Sequence, residues 1–423
     1  MLTLPDTDTS LRRQSAVVTH QITRSTPWSE HPQTTTNLAY QHADKGWVAA
    51  QLTEPVHNNP ITQDNFRART FNPIVLDAPV ILNPLAIPKP WGQEIWFSGI
   101  EARGESSVSQ GETTLPLSAY LALAPSRLVR RAEPLLLKIL DPNSTPDTGC
   151  LYFETHNTKH EVYVVTHIDP HAWPRGAGAI RIGMDQTCRR GYQNDDEFRA
   201  AFLQAVERYE AVRRKIDAGT SPSLDEKEEE QARRADMNAF TAKQALGIGD
   251  VVQVTPHIPH ALQHGVRVFE FQTPTYERNI ISFNQRVLTQ DHWDSRDAIA
   301  NMSLEGPTKP HLEVLEKTPR QLIERIVDFD DFEVLRATLK PNHSLAADLS
   351  NGYIMLAILK GDVQVECAAG SVALTELSDD RTNHQAALVP ASAKDAQLKT
   401  TSTGATLLIA RPKAHAADKI PTE

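Results

Sequence analysis

The sequence predicts a mainly β protein, built as one barrel carrying a helical insertion and a second, smaller C-terminal β-barrel. Two observations carry this reading. Short apolar, β-branched runs separated by turn residues recur between about 73 and 283 and again from about 332 onward, the pattern of regularly spaced short strands. Inside the first of these regions, between Asn194 and Leu246, apolar residues recur every three or four positions, which is the period of an amphipathic helix.

The elements follow in order. Residues 73–83 read as short strands punctuated by proline, and 117–124 and 135–140 are further apolar runs. Residues 151–156 and 161–167 read as two strands joined by a polar turn, with 179–184 as another. Phe198, Phe202, Val206, Tyr209, Val212 and Ile216 define a helix, with Asn194 and Glu197 as a capping box and Gly219 as its stop. A second helix is expected from Ser223 towards Leu246, opening with acidic residues that suit a helix N-terminus. Its charge run at 225–230 is a solvated face. Strands return at 249–254, 266–272 and 279–283. Residues 318–326 are expected to form a connecting helix, and 353–359, 363–367, 370–375 and 405–410 short strands.

These patterns divide the chain into a polar N-terminal extension (1–70), a β domain (71–300) with the helical insertion at about 191–246, a connecting helical segment (301–330) and a C-terminal β domain (331–423).

Composition excludes several classes. The chain has 423 residues, enough for two cores, and an ordinary 40% hydrophobic and 23% charged make-up. A net charge of −10 gives no global attraction for nucleic acid or anionic membranes, so an anionic ligand must meet locally clustered basic residues. Cys150, Cys188 and Cys367 are far apart with no CxxC pair, which argues against a thiolate zinc site or a disulfide framework. No apolar run approaches the roughly 20 residues of a membrane span. Residues 1–33 are polar and lack the apolar core of a secretory signal. The expectation is a cytoplasmic protein with a small-molecule partner and neither nucleic acid nor membrane; the oligomeric state stays open.

The chemistry concentrates in Glu154-Thr-His156-Asn-Thr-Lys-His-Glu161. Residues two apart on a strand share a face, so Glu154 and His156 point together, and a polar turn returns Glu161 beside them. About a hundred residues on, Thr255-Pro-His-Ile-Pro-His260 sets His260 at the start of a strand after a proline-rich turn. Carboxylates and imidazoles converging inside an apolar barrel are costly unless paired or bound to a cation. Glu154, His156, Glu161 and His260 form a nitrogen/oxygen set suited to zinc, manganese, iron or nickel. His160, His167, His171, His257 and His264 lie nearby, with His257 as the first substitute. Trp91 and Trp96 read as core aromatics, and Glu270 as a hydrogen-bonding partner for His260. In the C-terminal region, His343 and His384 lack the spacing of a metal pair.

Glu-x-His followed by Glu, then a distant Gly249-Asp250 and Pro259-His260, resembles the two signatures of the cupin superfamily, whose fold is a double-stranded β-helix or jelly-roll barrel. The chain also resembles type I phosphomannose isomerase. Lys89-Pro-Trp-Gly-Gln-Glu-Ile-Trp96 is similar to that family's early Trp-Gly segment, and Leu137-Lys-Ile-Leu140 to its Phe-Lys-Val-Leu strand. Gly249-Asp250 through Pro259-His260-Ala-Leu262 and Gly265-Val-Arg-Val-Phe-Glu270 is similar to its second barrel motif. The departures are Glu154 for the family's glutamine, Asn157 and His160 for prolines, His257 for glycine, and a shorter gap between the first two pieces.

The resemblance implies a metal-dependent aldose–ketose isomerase of a sugar phosphate, interconverting mannose 6-phosphate and fructose 6-phosphate through an enediolate. It implies one divalent ion, zinc first, and basic groups at the site: Lys138, Lys159, and Arg278 or Arg286 near Thr275-Tyr-Glu. The alternatives are another metal-dependent cupin enzyme such as an oxygenase, or a non-catalytic carbohydrate-binding or regulatory cupin.

Overall fold

The computed structural model describes residues 18–24, 34–43, 46–52, 74–101, 103–123, 134–219, 221–288, 290–376 and 385–413. The chain is mainly β. It divides into two compact units, one of Met1–Leu85, Trp96–Leu137 and His311–Glu423, the other of Ala86–Ile95 and Lys138–Pro310. Strand pairing joins segments distant in sequence. In the first unit Val80–Asn83 pairs with Ala386–Val389, and Ser107–Gln110 pairs with Val80–Asn83.

That first unit holds an eleven-stranded sheet whose long members are Ile354–Cys367 and Gln397–Pro412. The strands read as 353–359 and 363–367 are one element, bent where its register with Gln397–Pro412 shifts and where Gly361 takes φ +75°. Part of the polar N-terminal extension lies outside the described residues, as does His384. Within that extension, Val18–Arg24, Thr34–Ala43 and Gly46–Leu52 are strands of a four-stranded sheet completed by Ile74–Val75. Their partners lie in neighbouring strands, so no apolar period was needed to form them.

The expected connecting helix at 318–326 is a correction: Gln321–Asp328 is a strand, paired antiparallel with Phe332–Leu339. A register shift between Arg325 and Val327 puts Ile323, Ile326 and Val327 all in buried positions. That spacing of three imitates a helix.

The second unit contains two sheets. One runs in the order Val251–Val254, Glu161–Ile168, Val266–Gln272, Leu136–Pro142, Gly92–Trp96, Leu85–Lys89; the other in the order Thr241–Leu246, Gly178–Met184, His260–Leu262, Phe153–Thr155, Asn279–Ser282. Thus 151–156 and 161–167 do not form a hairpin. The turn between them carries the chain from one sheet to the other, since Phe153–Thr155 pairs with His260–Leu262 and Asn279–Ser282, whereas Glu161–Ile168 pairs with Val251–Val254 and Val266–Gln272.

Alternation along each strand then sorts the side chains. Tyr152, Leu262 and Ile280 join Tyr163, Val165, Val252 and Val268 in a core built from both sheets. Their sequence neighbours Phe153, Ala261 and Ile281 point the other way and pack against Phe198, Phe202, Val206 and Tyr209 of the helix Asp195–Ala218.

The helical insertion forms as its caps dictate. Asn194 accepts from the Glu197 N–H, and Gly219 follows the last turn. Ser223 and Glu226 form a reciprocal capping box on Leu224–Asn238. That second helix is shorter than expected, because Thr241–Leu246 leaves it to pair with Gly178–Met184. Trp91 and Trp96 are both core residues.

Phe202 is fully buried, edge-on to Phe153 and 5.5 Å from Phe240. Phe202→Ala is expected to lower unfolding free energy by about 3–5 kcal/mol in urea titrations; a loss below about 1 kcal/mol would show that this helix does not seal the sheet.

Candidate functional site

The site grows from the inner faces of the two sheets of the second unit. Glu154 is the register partner of His260, and His260 is also paired with Ile182, so these strands deliver a carboxylate and an imidazole side by side. His156 follows directly after the Glu154 strand. Glu161 opens the facing strand, opposite Gln272 and Val254, and Tyr163 two residues on shares its face, opposite Glu270. His156, Glu161, His260, Glu270 and Gln272 are each at most 3% exposed.

Glu161 is the hub. Its Oε1 lies 3.2 Å from His156 Nε2 and 2.6 Å from Lys159 Nζ. Its Oε2 lies 3.3 Å from His260 Nε2 and accepts from the Tyr163 hydroxyl at 2.6 Å. Burial alone would raise this carboxyl, but Lys159 and the two imidazoles hold it well below the ordinary range. The same surroundings split the histidines. Burial and Lys159 pull His156 down, whereas Glu161 raises His260 against its own burial.

These residues fit a divalent metal. Donor atoms of Glu154, His156 and His260 all lie within 4.8 Å of one another. Both Nε2 atoms, and Glu154 Oε2, are buried without a hydrogen bond of acceptable geometry. The His260 Nδ1 is 3.0 Å from the Ile258 carbonyl oxygen. Donation there leaves the Nε2 lone pair aimed at Glu161, the usual arrangement behind a metal-ligating imidazole. The 3.2 and 3.3 Å separations from Glu161 to the imidazoles match the roughly 3.4 Å between donors that each sit about 2.1 Å from one tetrahedral ion.

Around this set stand further charges. Lys138 Nζ is 3.2 Å from Glu270 Oε2. Burial and the nearby Glu161 push the Glu270 carboxyl up to about 8, with Lys138 opposing, and Glu270 in turn holds Lys138 charged above its ordinary value despite burial. Arg278 Nε is 3.7 Å from Glu154 Oε2, and its guanidinium lies over the Tyr152 ring at 4.4 Å. Each added carboxylate is therefore met by a cation.

The structure thus brings together Glu154, His156, Glu161, His260, Lys138, Lys159 and Arg278. Arg286 is exposed and makes none of these contacts. His257 is outside the donor group; it takes φ +67° and donates its N–H to the His156 carbonyl, so it shapes the turn that presents His260. Glu270 is not the partner of His260: it pairs with Lys138. Tyr163 was missed by sequence reasoning, although its place two residues after Glu161 on one strand was the available signal.

Because Glu161 titrates below its ordinary 4.5, it contributes stability in metal-free protein above about pH 4.5, and that contribution is lost as the pH falls. Urea titrations of metal-free protein from about pH 5 to about pH 3 are expected to show a steeper loss for wild type than for Glu161→Gln. Parallel curves would refute the charged hub.

No protein-family model matches the sequence, and no curated protein sequence matches it. Solved structures do. The mannose 6-phosphate isomerase of Bacillus subtilis aligns over 79% of this chain and 99% of its own length at 15% identity, with a TM-score of 0.58. A mutant of phosphomannose isomerase from Salmonella typhimurium covers 80% of this chain and 100% of its own at 12% identity and a TM-score of 0.57. A mannose 6-phosphate isomerase bound with zinc and yttrium covers the same shares at 12% identity and a TM-score of 0.56. The strand pairings of both units and these alignments lead to one conclusion: the chain has the cupin fold of the phosphomannose isomerases.

Proposed function

We propose that the chain is a metal-dependent aldose–ketose isomerase acting on a sugar phosphate, in the manner of mannose-6-phosphate isomerase. The observation that carries this reading is the set of Glu154, His156, Glu161 and His260, the last three of them buried, beside the Lys138–Glu270 and Lys159–Glu161 pairs. The four residues would hold one divalent ion, zinc first and manganese, iron or nickel as alternatives, which supplies charge stabilisation for the oxygens of an enediolate.

The chain's own groups do the rest. Glu270, pushed up to about 8, can both take and return a proton near neutral pH, the property required of a group that shuttles hydrogen between two carbons. Lys138, 3.2 Å away, fixes its orientation. Lys159 anchors the Glu161 carboxylate, and the Tyr163 hydroxyl holds its second oxygen. Of the two arginines, Arg278 is the one we assign to the substrate, since it lies at Glu154 and is largely buried. Among the described residues no helix is long and apolar enough to cross a membrane. The three free thiols suit the cytoplasmic location we assign.

One observation favours a second reading. Lys138, Lys159 and Arg278 are each already paired with a carboxylate, so a phosphate would have to compete for them. A different cupin enzyme, such as an iron-dependent oxygenase, or a carbohydrate-binding protein acting on an uncharged ligand would not face that competition.

Metal analysis of purified protein is expected to give one divalent ion per chain, and none in His260→Ala. A coupled assay is expected to show turnover of mannose 6-phosphate, falling at least about a thousandfold in His260→Ala. Glu270→Gln is expected to lower kcat by about 10²–10⁴ with little change in KM. Turnover of free mannose but not of its phosphate, or iron-dependent oxygen consumption, would select the second reading.

A further inference from the structure

The five-stranded sheet of the second unit has an outer face as well as the inner one that carries Glu154 and His260. Alternation places Arg181, next to inward-facing Ile182, on that outer face, as the register partner of Ala261. There Arg181, Arg234 and Lys243 line a cavity of about 210 Å³ together with Cys150, Gln263 and His264, and among the described residues no aspartate or glutamate lines it.

The charges in this cavity are not balanced. Arg234 pairs with Asp147 at 3.0 Å and Glu230 at 3.4 Å. Among the described residues Arg181 donates to neutral acceptors, the Thr241 hydroxyl at 2.8 Å and the Asn238 carbonyl at 3.4 Å. Lys243 lies 5.0 Å over the Trp173 ring. Among the described residues neither Arg181 nor Lys243 has a carboxylate partner. In a chain of net charge −10, holding these cations together has an unfavourable Coulomb energy that a bound anion would reverse. Burial, with Arg234 beside the first and Arg181 beside the second, pulls both Arg181 and Lys243 below their ordinary values.

We propose that this cavity is a binding site for a small phosphate-type dianion, either inorganic phosphate or the phosphoryl group of a phosphomonoester, distinct from the candidate metal centre. The guanidinium of Arg181 offers the forked donors that suit a phosphate, and Lys243 a point charge. Gln263 and His264 add neutral polar groups. Cys150 Sγ, 3.7 Å from both Gln263 Oε1 and His264 Nδ1, sits in the cavity wall as a built-in reporter. The site stands on charges and a cavity across the sheet from the metal ligands, so it does not depend on the isomerase reading.

The test follows Cys150 in the full-length protein. Alkylation by iodoacetamide is read at each cysteine by mass spectrometry, with inorganic phosphate or mannose 6-phosphate as probe and mannose as the uncharged control. Phosphate is expected to protect Cys150 saturably while leaving Cys188 and Cys367 unaffected. The probe that protects at lower concentration identifies free phosphate or a phosphomonoester as the preferred ligand. Lys243→Gln is expected to raise the half-protecting concentration about tenfold, the value of one charge-assisted contact, Arg181→Gln by more, and Lys243→Arg hardly at all. Lys243 is exposed, so its variants remain informative if Arg181→Gln fails to fold. Absence of protection at millimolar phosphate, or protection unchanged in Lys243→Gln, would overturn the proposal.

Discussion

The candidate centre depends on one buried carboxylate. Glu161 is 2% exposed, and a charge removed from water to that extent costs several kcal/mol unless its surroundings replace the lost solvent. Four groups do so here: the His156 and His260 imidazoles, the Lys159 ammonium and the Tyr163 hydroxyl. Each comes from a different local device, namely the end of a short strand, a proline-rich turn, a polar crossing between sheets and a position two residues along the same strand. The two sheets must be in register for all four to meet, so the charge at Glu161 couples the site to the packing of the whole β unit.

A second constraint is charge balance. Glu154 adds a carboxylate where a neutral amide would suffice to donate an oxygen. Arg278, held over the Tyr152 ring, offsets it. Glu270 and Lys138 repeat the pattern at 3.2 Å. The interior is therefore polar yet nearly neutral, which lets it persist in an apolar sandwich and makes a divalent cation the natural addition to the orphaned imidazole nitrogens.

The five-stranded sheet acts as a partition. Alternate residues of the same three strands face opposite ways, so Glu154, His260 and Ile182 look inward while Phe153, Ala261 and Arg181 look outward. The helical insertion covers much of the outer side through Phe198, Phe202, Val206 and Tyr209. Where that apolar cover gives way, the basic cavity begins. One pleated sheet thus separates the candidate metal centre from the basic cavity without either borrowing residues from the other.

Much of this was legible from residue order alone. The β class, the helical insertion with its caps at Asn194 and Gly219 and its second helix from Ser223, and the convergence of Glu154, His156, Glu161 and His260 all follow from local rules: period, capping chemistry and the two-residue repeat of a strand. What those rules could not reach was pairing. A bulge at Arg325–Val327 made a strand look helical, and the turn after His156 proved to join two sheets rather than close a hairpin. The nearness of Arg278, and not Arg286, to Glu154, the pairing of Glu270 with Lys138 instead of His260, and the place of His257 in a turn likewise became visible only in three dimensions. The reason is physical: side-chain direction is set within a few residues, whereas the identity of a buried charge's partner is set by which strands lie side by side, a choice that belongs to the whole packed unit.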